Sequence, residues 1–199
     1  MSIGGLVALA AAAGLLFMAY DTYGRGNLET VTSKVDGLAY EVQSLPDKQA
    51  AADLLANIVA QLTLLQRHLE KTAAGDPRTL RIAGKFSERR VVEEPANNPF
   101  TSYSINKGER IVLCLRSRDA KKELADLNTM MFVAIHELAH ICTIEVGHPP
   151  AFWTNFKWLL TEAVNIGVFK DRDFKKQPQP YCGITITDSP LHAKVDVKE

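Results

Sequence analysis

HELAHICTIEVGH, residues 136–148, gathers three of the chain's five histidines and two of its glutamates into one short segment. His136 and His140 are four residues apart, and on a helix that spacing puts two side chains on one face with Cβ atoms about 5–6 Å apart. Two imidazoles so placed can reach a single ion, and zinc–nitrogen bonds of about 2.0–2.1 Å fit the gap. Glu137, one step round the helix from His136, is then free to face a water rather than the metal. The preceding segment LNTMMFVAI (127–135) is apolar enough for a core helix, with Asp126 or Asn128 as its N-cap.

A catalytic zinc needs a third protein ligand and an open position. His148 is the first candidate. Gly147 can take the left-handed conformation that ends a helix, and Pro149 and Pro150 stop the helix from resuming, so the chain turns at His148. Glu162, on the amphipathic stretch FWTNFKWLLTEAVNIG (152–167), is the alternative, a carboxylate delivered from a later helix. Glu145 ranks last, because five residues beyond His140 it lies about 140° round the helix, away from the zinc face.

HELAH followed by GHPPAFW, FWTNFKWLL (152–160) and YCGITITDSP (181–190) resembles the WLM group of SprT-like zinc metallopeptidases. The match is nearest to small membrane-anchored WLM-like proteins of algae and large DNA viruses, and it covers about residues 78–190. It implies an α+β, zincin-like catalytic domain over 78–199, with His136, His140 and His148 on Zn2+ and Glu137 as general base. It also implies that a sheet edge at 110–116 binds extended substrate backbone. Seven residues separate the second and third histidines here, more than in the better-known members. Some members of the wider group cleave proteins crosslinked to DNA, a role that a motif alone does not transfer.

The chain has 199 residues with 23 basic and 23 acidic side chains, so no excess of positive charge advertises nucleic-acid binding. Residues 1–20 carry no charged side chain. A run of about 20 apolar residues suffices to cross a bilayer. The absence of a basic start and of a small-residue cleavage site favours an uncleaved transmembrane anchor over 1–22, hence a single-pass membrane protein, over a signal peptide. A buried alanine-rich helix is the competing reading. Three cysteines, Cys114, Cys142 and Cys182, cannot all pair and form no C-x-x-C unit, which favours a reducing compartment.

Between anchor and site, Leu28, Val31, Val35, Leu38, Val42 and Leu45 alternate at three and four, and Leu55, Ile58, Leu62, Leu65 and Leu69 repeat the spacing. Residues 27–74 are therefore expected to form a helical hairpin or a coiled-coil stalk, the latter offering a surface for homo-oligomers. LRIAGKF (80–86), ERRVV, TSYSI and RIVLCLR read as strands, with NNPF (97–100) and NKGE (106–109) as turns.

The function expected is that of a membrane-anchored zinc endopeptidase acting on a protein or peptide. Tyr181 or His192 is the candidate donor to the transition-state oxyanion. The rival is a catalytically inactive zinc-fold scaffold working through its stalk. Phe152, Trp153, Phe156 and Trp158 read as core of their helix.

Overall fold

Residues 28–43 form a β-hairpin where the sequence suggested a helix. The computed structural model describes residues 27–96 and 98–192. Strands β1 (Leu28–Thr32) and β2 (Ala39–Gln43) pair antiparallel, Val31 opposite Tyr40. In β2 the core takes every second residue, Tyr40 and Val42, a strand period rather than a helical one. Val35, which belonged to the supposed helical seam, is 52 % exposed at the tip. Asp36-Gly37, an Asp-Gly pair, makes the turn there. Asp53 anchors that turn, accepting from Ser33 Oγ at 2.8 Å and from Lys34 N at 2.7 Å.

Helix α1 (Lys48–Thr72) is the helix expected from the second apolar run. Its stripe Leu55, Ile58, Leu62, Leu65 and Leu69 is at most 1 % exposed. The stripe faces the chain's own core, where α1 packs on the helix bearing the histidines. Burying each such side chain is worth about 1.5–3 kcal/mol, and a seam already covered within the chain has no face left for a coiled-coil partner. The coiled-coil stalk, and self-association through it, are corrected accordingly. The single-pass membrane assignment is corrected as well. Among the described residues no helix is long and apolar enough to cross a membrane, and the segment 1–22 on which that assignment rested lies outside them.

Residues 77–85 form helix α2 (Pro77–Lys85), not the strand read from LRIAGKF. Asp76 caps it, accepting from Arg78 N at 2.8 Å, and Pro77 occupies the first helical turn, where a missing N–H costs nothing. Three short strands follow: β3 (Val91–Glu93), β4 (Tyr103–Ile105) and β5 (Arg110–Leu113). Their order is β3-β5-β4, with β3 parallel and β4 antiparallel to β5. Among the described residues the free edge nearest the histidines is thus β4, whereas the resemblance implied 110–116, which includes the central strand.

Helix α3 (Leu127–Cys142) carries the HELAH motif and is buried along most of its length, capped by Asp126, which accepts from Thr129 N at 3.0 Å. Helix α4 (Pro150–Asn165) packs against α3. A last hairpin, β6 (Gln179–Tyr181) and β7 (Ile184–Ile186), follows. Cys114, just past β5, and Cys182, in that hairpin's turn, are joined by a disulfide with Cα atoms 6.1 Å apart, which corrects the inference from cysteine usage, and Cys142 stays free and buried. The resulting architecture is α+β, with one long buried helix between a small sheet and the other helices.

Candidate metal centre

The helical spacing does what the sequence suggested: the rings of His136 and His140 sit 4.9 Å apart, centroid to centroid, on one face of α3. The third histidine arrives by a turn. α3 ends at Cys142, Gly147 adopts φ +82° in open space, and Pro149 caps α4, so the chain doubles back and His148 meets the other two rings at 5.0 and 4.8 Å. The ligating nitrogens of His136, His140 and His148 all lie within 4.8 Å of one another, and the Nε2 atoms of His136 and His148 are 3.1 Å apart. Two nitrogens on one tetrahedral zinc at about 2.05 Å are separated by about 3.3 Å. The donor set therefore fits such an ion.

Electrostatics keep His136 and His140 unprotonated. Burial first, and then the neighbouring imidazoles His140 and His148, push His136 down to about 3. Burial, His148 and Lys107 push His140 down to about 4. Neutral imidazole is the form that binds metal. Phe152, one turn into α4, lies under all three rings at centroid distances of 4.5–4.8 Å. It is core, as the sequence suggested, but it is also the apolar floor of the site.

Glu137 is 2 % exposed, and its Oε2 has no hydrogen-bond partner among the described residues. Burial alone pushes its carboxyl up to about 8. An unpaired carboxyl in a dry position is costly, and an adjacent cation would favour its charged form. Glu137 lines two hollows, which share Thr101, Ser102 and His136 with it. One, of about 560 Å³, runs over the three histidines and along Thr101–Ser104 beside β4. The other, of about 140 Å³, is a more apolar recess bounded by Phe132, Val133, Ile184 and Ile186. Tyr181 lines the recess too, its hydroxyl 2.6 Å from Ser102 Oγ.

The remaining candidates lie elsewhere. Glu162 is engaged with His68, Oε2 to Nε2 at 2.7 Å, and is outside the histidine cluster. His192 pairs with Asp171 at 2.9 Å and lines neither hollow. Glu145 lines the larger hollow but contributes no atom to the cluster. Sequence reasoning passed over Lys107, whose ammonium reaches the loop between His140 and His148, and the Ser102–Tyr181 pair. A polar NKGE turn carries no sign of the first, and contacts 79 residues apart in sequence leave none of the second.

Fold and site together describe a metallopeptidase-like domain. The chain belongs to the WLM domain family, whose model matches residues 85–196. An uncharacterised protein of Acanthamoeba polyphaga mimivirus is 30 % identical over 165 residues, 81 % of this chain and 83 % of that one. An uncharacterised protein of invertebrate iridescent virus 3 is 35 % identical over 99 residues, covering 50 % of this chain and 57 % of its own. The crystal structure of Wss1 from Saccharomyces cerevisiae covers 64 % of this chain and 87 % of that one at 22 % identity, with a TM-score of 0.49.

Proposed function

We propose that the protein is a zinc-dependent peptidase in which His136, His140 and His148 hold the ion and Glu137 handles the proton. The observation that carries this reading is the convergence of three imidazoles beside a buried carboxyl oxygen with no partner among the described residues, at the floor of an open cleft. When bound, zinc would supply the Lewis acidity that activates a water and polarises a carbonyl.

The chain's own groups do the rest. An extended substrate lies along the free edge of β4, whose other edge is paired with β5, so backbone hydrogen bonds orient the scissile bond over the histidines. Glu137 Oε2 takes a proton from the attacking water and returns it to the departing amine. Tyr181 completes the arrangement. Ser102 Oγ accepts from Cys114 N at 3.0 Å, so its own hydrogen can be given to the Tyr181 oxygen, leaving the phenolic hydrogen for the oxyanion. The scaffold alternative loses its working part, since the seam it relied on is buried within the chain.

The test is Glu137→Gln. This variant is expected to keep its zinc and to lose turnover of an unstructured protein by about 10²–10⁴-fold, the usual range for a general base. Equal turnover by variant and parent would remove Glu137 from the chemistry.

A further inference from the structure

Between His140 and His148 the chain runs through a loop that has little apolar anchorage of its own: Ile144 is 72 % and Val146 91 % exposed. Something else must fix the path that delivers the third imidazole. The carbonyls of Thr143, Ile144 and Glu145, the three residues just past α3, all accept from one group, Lys107 Nζ, at 2.5, 2.6 and 2.8 Å. An ammonium has three donors, and all three are used on consecutive carbonyls.

Lys107 is itself held firmly. It lies in the β4–β5 turn with φ +54°, between Asn106 and Gly108. A Cβ on Gly108 would come within 3.0 Å of Ile141 Cδ1 and of the Lys85 carbonyl oxygen, so the turn is seated directly against the end of α3. The charge also suits its place, because helix C-terminal carbonyls carry partial negative charge and favour cations. Two further bonds brace the same segment: Arg81 Nε donates to the Cys142 carbonyl at 2.8 Å and Asn155 Nδ2 to Thr143 Oγ1 at 2.9 Å. Neither reaches residues 144 and 145.

We propose that Lys107 is a positioning residue for the metal centre: its ammonium gathers the three carbonyls that follow α3 and so sets the loop that brings His148 to His136 and His140. This rests on the metal-binding reading above. Although Lys107 lines the cleft, its donors are committed to the loop, which separates this role from that of a donor to substrate. Arginine reproduces the role only in part, since a planar fork does not present three donors converging from one point.

The test is titration of the metal-free full chain with zinc and with cobalt(II), whose visible spectrum reports coordination. Lys107→Gln is expected to weaken binding about 10–100-fold, the range for supporting groups around a metal, and to move the cobalt spectrum toward that of His148→Ala. Lys107→Arg should recover part of both. In a His148→Ala background, Lys107→Gln should cost no further affinity, the signature of an effect transmitted through that ligand. A folded Lys107→Gln with the parent's affinity and spectrum overturns the proposal, as does an equal loss in both backgrounds. If the glutamine variant does not fold, Lys107→Arg carries the same comparison, its parent-like affinity and spectrum overturning the proposal and a partial loss upholding it. A folded parent chain that binds neither metal sinks the metal-binding reading itself.

Discussion

Where α1 meets α4, His68 Nε2 lies 2.7 Å from Glu162 Oε2, while on α3 the sequence neighbours His136 and Glu137 share no hydrogen bond. The first pair is matched: each group meets the other at a partly exposed contact, where solvent reaches the remaining polar atoms. At the second place three imidazoles turn their nitrogens toward one another and a buried carboxyl oxygen is left without a partner among the described residues. Roughly nine in ten buried polar groups in proteins are paired, and Glu137 is one of three side chains with such an unpaired atom among the described residues, the others being Thr79 and Arg116. The same two residue types thus make a paired contact in one place and a candidate metal centre in the other, and the difference lies in what remains unsatisfied.

Breaking the second place should have the larger consequences. His136→Ala or His140→Ala is expected to abolish zinc binding and to reduce peptide hydrolysis to background, checked by metal analysis and turnover of an unstructured protein; retained zinc at one ion per chain would contradict the cluster. Tyr181→Phe should lower kcat by about 10²-fold with little change in KM, as for loss of one oxyanion donor. An unchanged kcat would return Tyr181 to packing.

A third comparison uses pH on the metal-free chain. His136 and His140 have folded pKa values pushed down to about 3 and about 4, below the unfolded value of about 6.5. Between those values the unfolded chain binds more protons than the folded one, so stability is present above about 6.5 and is lost as pH falls toward 4 and 3. His140→Ala should flatten that decline in denaturant titrations, and zinc should oppose it by competing with protons. A pH dependence identical in parent and variant would argue against buried neutral imidazoles. The smallest effect belongs to the first place: His68→Ala should cost about 1 kcal/mol or less and leave zinc content unchanged.

Much of the candidate site was legible in the sequence because its chemistry is local. Helical spacing alone places His136 beside His140, and Gly147 with Pro149 and Pro150 marks the bend at His148. The choice between His148 and Glu162 was not local. Glu162 pairs with His68, 94 residues away, and is outside the histidine cluster, a contact that no local pattern shows. Residues 28–45 were misread for a different reason. Leucines and valines at three and four fit a helix, but the strand alternation of Tyr40 and Val42 and the Asp36-Gly37 turn were present in the same stretch and specify a hairpin. The LRIAGKF segment likewise hid a helix whose start was written in Asp76-Pro77. The disulfide, the β4 edge and the Lys107 bonds depend on long-range contacts that no local pattern announces.

Zinc content per folded chain, measured on the parent, His148→Ala and Glu162→Ala proteins, tests the convergent three-histidine centre most directly. One zinc per chain in the parent and in Glu162→Ala, with a reduced content in His148→Ala, is the expected result. A folded parent without zinc, or a His148→Ala protein that keeps its ion while Glu162→Ala loses it, would contradict that centre.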